Sequence, residues 1–279
     1  MPHFFYYLIL AVVGLAIAVF VIYKKKEYYK LITFFLFSAT LADLGEVLVL
    51  LILNGYSYKL GVFPDPLADS ILTHLILNNT LWPAAAIFIA AYSPRLRWIF
   101  LTSFIFIFLD ILYCQLGVYQ HHWWQSWMSG LGIFIYCIVM RFWYSRLEDN
   151  NFLRFITFSS VFTLFMLLPS VLLLLAEKEF YTVGIFANVY KDSILFSLFY
   201  DAVISPLCVL FICQLKRWFW KLVPFALIFL GDYLLMVLGI LNFINGWNIY
   251  YLILVRTICV LTFLQLENKY SYKPKSSCI

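Results

Sequence analysis

The sequence repeats itself with an offset of 123 residues, and this repeat limits the folds open to the chain more than any other feature. Eight positions of the first copy, Gly61, Phe63, Asp69, Ser70, Ile71, Leu72, Leu75 and Pro83, recur as Gly184, Phe186, Asp192, Ser193, Ile194, Leu195, Leu198 and Pro206. The match continues one residue out of step, from Asp110, Leu112, Leu116 and Gly117 to Asp232, Leu234, Leu238 and Gly239, and the offset of 123 returns at Trp124 and Trp247. The repeat predicts two similar modules, and duplicated membrane modules usually hold their functional site where the copies meet.

The composition predicts that both modules lie in a membrane. Hydrophobic residues make up 65% of the chain and charged residues only 12%, whereas soluble domains have about 25% charged residues. Runs of about 20 apolar residues predict nine transmembrane helices, at about 4–23, 31–53, 69–92, 98–119, 126–144, 155–176, 192–213, 221–242 and 249–266. No run alternates apolar with polar residues as a porin strand does, so we expect an all-α integral membrane protein.

Four helices per copy give both copies the same orientation, so we expect parallel repeats related by a pseudo-twofold axis along the membrane normal. The predicted domains are an N-terminal transmembrane helix with a basic turn at 1–30, repeat 1 at 31–150, repeat 2 at 151–268 and a short tail at 269–279.

Basic residues mark alternate ends of the predicted helices. They cluster at Lys24, Lys25, Lys26 and Lys30, at Arg95 and Arg97, at Arg141, Arg146 and Arg154, at Lys216, Arg217 and Lys221, and at Lys269, Lys273 and Lys275. The positive-inside rule predicts that these segments are cytoplasmic and that the N-terminus is outside a plasma membrane. The net charge of +5 therefore reflects the topology of the chain. The predicted partner is the lipid bilayer, and no binding of nucleic acid is predicted.

Several motifs resemble a family of small polytopic membrane proteins from spore-forming Firmicutes, whose function is unassigned. The second copy has Gly-Ile-Phe at 184–186, then Asp192, Pro206, Asp232 and Gly-Trp-Asn at 246–248; the first has Gly-Val-Phe at 61–63, Asp69, Pro83, Asp110 and His-His-Trp-Trp at 121–124. The resemblance implies a duplicated version of a small module and implies no mechanism.

Eight polar residues are predicted to lie near the membrane centre, and they form the candidate site: Asp43, Glu46, His74, Asn78, Asp110, Asp201, Asp232 and Arg256. A charge at the centre of a helix costs about 2.5 to 3.5 kcal/mol on insertion scales, so these groups should face protein or water and converge. Two interpretations stay open: protonated acids hydrogen-bonded between helices, or a site for a proton or cation. A metal site formed by Asp43, Glu46 and His74 is an alternative without a ligand-spacing signature.

Arg256 is the one basic residue predicted to lie deep in a helix. Asp232, on the preceding antiparallel helix, falls within about one turn of the same depth, so we expect an ion pair. Asp110 corresponds to Asp232, but the first copy has Ile133 and Phe134 where the second has Arg256. Asp110 is therefore predicted to be the titrating group and Asp232 the structural one.

Four structural expectations concern single residues. Asp69 and Asp192 should cap the helices that follow them. Pro83 and Pro206 should kink their helices or free a carbonyl. His121, next to His122 and the tryptophans, is expected at the outer surface as part of an interface belt. The six cysteines, without CxxC pairs, are expected to be small buried hydrophobic residues.

Three hypotheses for function remain. The first is a carrier or channel-like protein for protons, cations or a small solute, with a polar site between the repeats. The second is a non-catalytic membrane scaffold that acts in envelope or spore physiology. The third is an intramembrane lipid-modifying enzyme, which the lack of GxSxG, HExxH, Walker and aspartate-rich prenyl motifs disfavours. No catalytic residue, cofactor or resident metal is predicted, and the oligomeric state is not predicted.

Overall fold

A computed structural model describes residues 3–92, 95–215 and 218–270. Within these ranges, nine helices are long and apolar enough to cross a membrane. They begin and end close to the predicted segments, so the all-α architecture is confirmed. The chain divides into two compact units, Met1–Arg154 and Phe155–Ile279, which we call unit 1 and unit 2.

Unit 1 contains α1 (Phe4–Lys25), α2 (Tyr28–Glu46), β1 (Tyr56–Tyr58), α3 (Pro66–Asn78), α4 (Leu81–Tyr92), α5 (Leu96–Gln115), β2 (Tyr119–His121) and α6 (Ser126–Arg146). The last turns of the second span, Val47–Ile52, are a π-helix. Helix α4 packs against α1, α2 and α6. Its first residue lies so close to α1 that a Cβ at Gly14 would come within 2.9 Å of the Leu81 backbone.

Unit 2 contains all but the first turn of α7 (Asn151–Leu175), followed by β3 (Glu179–Tyr181), α8 (Val189–Val209), α9 (Val223–Val237), β4 (Leu241–Phe243) and α10 (Ile249–Tyr270). Helix α8 ends in a π-helix, Leu210–Gln214, and a 3₁₀ turn at Trp218–Leu222 leads into α9. The order helix, strand, helix, helix, strand, helix matches that of unit 1 after α1 when α3 and α4, the two parts of the span Pro66–Tyr92, are counted as one helix.

A short two-stranded antiparallel sheet closes one end of each unit, and the sequence did not predict either sheet. In unit 1, Tyr56 pairs with His121 and Tyr58 with Tyr119. In unit 2, Glu179 pairs with Phe243 and Tyr181 with Leu241. Strands of three residues are too short for a clear period-2 signal, and they form here because two loops meet at the same end of the unit. We call this end of unit 1 the strand end.

The prediction that Asp69 caps a helix is wrong. Helix α3 begins one turn earlier, and Asp65 is its cap, accepting hydrogen bonds from two backbone N–H groups. Asp69 lies in the first turn and accepts bonds from the backbone N–H groups of Gly61, Val62 and Phe63 at 2.8 to 3.1 Å. Gly61 has a φ of +79°, a conformation that glycine adopts without strain and that lets successive N–H groups face one anion.

The same correction applies to unit 2. Asn188 caps α8 through the Lys191 N–H. Asp192 instead accepts four backbone hydrogen bonds, from Val183, Gly184, Ile185 and Phe186, at 2.7 to 3.1 Å. Both aspartates are buried, so they fix the loop before their helix and do not cap it.

The two matched prolines have different surroundings. The third span is interrupted at Asn79–Thr80, four and three residues before Pro83, because proline cannot donate to the carbonyl one turn earlier. Pro206 lies inside α8, which continues through it and becomes π-helical from Leu210. The predicted break thus occurs in unit 1, whereas α8 adapts by widening its last turn.

Candidate binding cavity

Unit 1 contains a partly open cavity of about 260 Å³ between its helices and its strand end. Nine aromatic side chains line it: Tyr7, Tyr56, Tyr58, Tyr113, Tyr119, Tyr136, Trp82, Trp124 and Phe106. The carboxyl groups of Glu46 and Asp110 belong to the same wall, and the described lining residues include no lysine or arginine. The cavity is therefore aromatic with two acidic groups.

Glu46 reaches the cavity from the end of α2. Its side chain is buried, and its Oε1 accepts a hydrogen bond of 2.8 Å from the Tyr58 hydroxyl. Strand β1 provides this tyrosine, and Ser70 fixes the strand by exchanging hydrogen bonds with the backbone of Tyr58. Burial, and then the nearby charge of Glu46, raise the pKa of Tyr58 well above its ordinary value, so the phenol stays protonated and donates.

Asp110 reaches the cavity from the last two turns of α5 (Leu96–Gln115), nearer the strand end than the mid-span depth predicted from the sequence. Its Oδ2 accepts a hydrogen bond of 2.6 Å from Ser129 Oγ, which in turn accepts one from Trp124 Nε1. Its Oδ1 lies 2.9 Å from His121 Nε2, a close contact whose angle falls short of a regular hydrogen bond. Asp110 thus has a partner that the sequence did not predict.

The side chain of His121 is 23% exposed at the strand end, where strand β2 directs it toward α5. Its place in an interface belt stays a prediction. Cys114 lies one helical turn beyond Asp110, and its Sγ is 3.6 Å from His121 Nε2. Among the described residues, Asp110, Cys114 and His121 form the group whose ligand atoms lie close enough together to share a metal ion, within 4.8 Å of one another. The alternative metal set Asp43, Glu46 and His74 does not form such a group.

Three of the predicted site residues form a polar chain in the same unit. His74 Nε2 lies 3.5 Å from Asp43 Oδ1, and Asn78 Nδ2 lies 3.1 Å from His74 Nδ1. If the amide donates to Nδ1, the imidazole proton is on Nε2 and faces Asp43. Glu46, three residues after Asp43 on the same span, faces the cavity instead. The candidate residues of unit 1 therefore form two groups.

Unit 2 confirms the predicted ion pair. Arg256 Nε donates to Asp232 Oδ2 at 3.3 Å, and both side chains are almost fully buried, with 1% and 0% exposed. The other guanidinium nitrogens donate to the Met166 carbonyl at 2.8 Å and to the Tyr181 hydroxyl at 3.2 Å. Every nitrogen of this guanidinium therefore has an acceptor.

Two further carboxyl groups are buried in unit 2. Asp201 was predicted from the sequence, and its Oδ2 has no hydrogen-bond partner among the described residues. Glu179, on β3, was missed because it lies in a loop between predicted spans. Burial raises the pKa of Glu179 to about 7, against the opposing effect of Arg256.

The aromatic residues of the strands were also missed. Tyr56 and Tyr58 are two positions apart, and so are Tyr119 and His121. This spacing places side chains on one face of a strand and was the signal available in the sequence. Only the pairing of β1 with β2 brings the two sets together above the cavity.

No known family model, curated protein sequence or solved structure shows significant similarity to the chain. The resemblance to small membrane proteins of spore-forming Firmicutes therefore stays a prediction. The function has to be inferred from the residues of the two units.

Proposed function

We propose that the chain is a multi-pass membrane protein that binds a small organic cation in the unit 1 cavity, as the binding step of a carrier or channel-like protein. The observation that carries this proposal is the composition of the cavity wall, which in the described part of the chain has nine aromatic rings, two carboxyl groups and no lysine or arginine. Aromatic faces attract cations, and the attraction is strongest where water is excluded.

The carboxyl groups give the cavity its selectivity for charge. Glu46 and Asp110 are both buried, and an ionised carboxylate without a counter-charge is costly in such a place. A bound cation would lower that cost, whereas an anion would add to it. The volume of about 260 Å³ lies below the range of about 300–1,000 Å³ typical of drug-sized ligands, which favours a ligand of few atoms.

We also propose that the two units arose by internal duplication. The support is the shared element order, the shared sheet register and the matched pairs Asp69 and Asp192. The expected site between the repeats is replaced in this proposal by a site inside unit 1.

Equilibrium dialysis of the purified full-length protein in nanodiscs, with labelled tetramethylammonium as the probe, tests the binding. We expect saturable binding, no competition from the neutral tert-butanol, and an affinity at least tenfold lower in Glu46→Gln and Asp110→Asn. Glu148→Gln is the matched control, since this carboxyl is exposed and pairs with Lys30 away from the cavity. Failure of every small organic cation to bind would overturn the proposal.

Proteoliposomes that contain the bound cation as a labelled solute test the transport step. We expect uptake that Glu46→Gln reduces and Glu148→Gln leaves unchanged. Saturable binding without uptake would contradict the carrier function and favour the hypothesis of a non-catalytic membrane protein.

A further inference from the structure

Unit 2 contains a guanidinium group at the position where unit 1 has its cavity. Two residues that bind Arg256 in unit 2 have equivalents in unit 1 at the repeat offset. Tyr181 corresponds to Tyr58 by the offset of 123, and Asp232 corresponds to Asp110 by the offset of 122. The structure supports the first correspondence, because Ser193 accepts a hydrogen bond from the Tyr181 backbone N–H as Ser70 does from that of Tyr58. It supports the offset of 122 through the strand pairing, since Phe243 lies opposite Glu179 as His121 lies opposite Tyr56.

The cavity of unit 1 therefore has the same kinds of acceptor groups, free to bind a ligand, that hold the guanidinium in unit 2. Arg256 binds a carboxylate and a phenol, Asp232 and Tyr181. In unit 1, Asp110 and Tyr58 line the cavity. The place of the arginine in the sequence is taken by Ile133, which is buried in an apolar cluster and brings no charge.

The buried acidic and basic groups of the two units also indicate that unit 1 lacks a cation that unit 2 contains. Apart from the loop aspartates Asp69 and Asp192, each unit has three buried carboxyl groups among the described residues: Asp43, Glu46 and Asp110 in unit 1, and Glu179, Asp201 and Asp232 in unit 2. One carboxyl group occupies a different position in each unit. By the offset of 123, Glu46 of unit 1 corresponds to Pro169, and Glu179 of unit 2 corresponds to Tyr56. Unit 2 balances its acids with an arginine of its own, whereas the acids of unit 1 have histidines as their basic neighbours.

We infer that the cation of unit 1 is a guanidinium compound, and that Arg256 is the built-in equivalent of this ligand in unit 2. The inference rests on the proposed function and names its substrate class. A guanidinium is planar, donates several hydrogen bonds in one plane and stacks on aromatic faces. Carboxylates at Glu46 and Asp110 can accept those bonds and the tyrosine rings can stack, whereas a quaternary ammonium has no N–H group to donate.

Competition dialysis against labelled tetramethylammonium tests the inference on the full-length protein in nanodiscs. We expect methylguanidinium to compete at a concentration at least tenfold below that of unlabelled tetramethylammonium. Methylurea, its neutral isostere, should not compete at all. Equal or weaker competition by methylguanidinium would overturn the inference and leave the proposed function intact, whereas absence of any cation binding would overturn the proposed function itself.

Tyr58→Phe removes one hydroxyl and leaves the ring, so it separates hydrogen bonding from packing. We expect a loss of affinity of at least threefold for methylguanidinium and a smaller change for tetramethylammonium. Tyr92→Phe is the control, because this exposed ring lies beneath Lys25 and outside the cavity. Identical losses for both ligands in Tyr58→Phe would contradict recognition of the guanidinium N–H groups.

Chemical rescue tests the same chemistry in unit 2. Arg256→Ala removes the built-in guanidinium, and we expect millimolar methylguanidinium to raise the thermal midpoint of this variant. Both measurements are made in a Glu46→Gln background, which weakens the unit 1 site, so that a rise in the thermal midpoint reports on unit 2. Glu46→Gln with Arg256 intact should show little shift under the same conditions. A rise in Arg256→Ala that methylurea reproduces would show that the effect is not guanidinium recognition and would count against the inference.

Discussion

Arg256 and Asp232 are the residues for which sequence and structure agree most closely. Removing one partner of a buried ion pair leaves the other charge unpaired and typically costs about 3 to 5 kcal/mol. We therefore expect Asp232→Asn to lower the free energy of unfolding by about this amount. Asp232→Asn combined with Arg256→Gln should recover part of the loss. Thermal unfolding in detergent, followed by circular dichroism, measures both.

Asp201→Asn is the matched control for this experiment. Asp201 is as deeply buried as Asp232, but its Oδ2 has no partner among the described residues. An amide at this position should therefore be neutral or stabilising. A loss in Asp201→Asn as large as that in Asp232→Asn would show that the ion pair is not the cause.

Glu179 gives unit 2 a pH dependence of stability. Its pKa rises from an ordinary value of 4.5 to about 7 on folding, mainly through burial. Between these two values the folded state holds a proton that the unfolded state has lost, so stability falls as the pH rises from 4.5 to 7. The loss amounts to about 3 kcal/mol when complete. Arg256 and Asp232 face this carboxyl with opposite effects.

Glu179→Gln should remove this dependence, because the amide has no proton to lose. We expect the variant to be more stable than the wild type at pH 8 and similar to it at pH 4.5. Thermal midpoints between pH 4 and 8 measure the difference. If the thermal midpoint of the wild type does not fall between pH 4.5 and 7 and follows that of Glu179→Gln, the raised pKa of Glu179 is refuted.

At the scale of elements, the loops before α3 and α8 are each organised around one aspartate. Asp192 accepts four backbone hydrogen bonds from Val183 through Phe186. Hydrogen bonds to a charged group are worth about 1.5 to 3 kcal/mol each. We expect Asp192→Ala to increase amide hydrogen exchange at 183–186 by at least tenfold, measured by mass spectrometry.

Asn188→Ala is the control for the loop, because Asn188 caps α8 through one N–H group, that of Lys191. Loss of this cap should cost about 1 kcal/mol and increase exchange at the start of α8. It should leave 183–186 protected. Unchanged exchange at 183–186 in Asp192→Ala would contradict the role given to the aspartate.

At the scale of the whole molecule, the contacts of unit 1 bring basic segments together. Tyr144 donates to Glu27, Lys30 pairs with Glu148, and Lys25 lies over the ring of Tyr92. The turn after α1 and the ends of α4 and α6 therefore meet at one end of the unit, opposite the strands. We propose that this end is cytoplasmic and that the strand end faces outward.

Cysteine labelling tests the proposed orientation. In a cysteine-free background, we expect an impermeant maleimide added outside the cell to label Lys59→Cys and not Arg95→Cys. Labelling of both positions after permeabilisation is the control for accessibility. External labelling of Arg95→Cys in intact cells would reverse the topology.

The sequence by itself determined the elements that depend on local properties. The nine apolar runs correspond to nine long apolar helical segments in the described residues, one of them divided into α3 and α4, because a helix that could cross a membrane depends on length and apolarity within one segment. The Asp232–Arg256 pair was also predictable, because two neighbouring antiparallel helices fix the depth of residues counted from their common turn. Conversely, the caps were misplaced by one turn, since Asp65 and Asp69 both suit a helix start and only the fold of the loop chooses between them.

Only the tertiary structure decided which side chains share a site. The cavity combines residues from all six helices and both strands of unit 1. Tyr58 meets Glu46 although neither belongs to a recognisable motif. His121 reaches Asp110 because β2 pairs with β1, a contact between loops more than 60 residues apart. Sequence periodicity reports which face of an element is apolar, but the partner of that face is fixed by packing between distant segments.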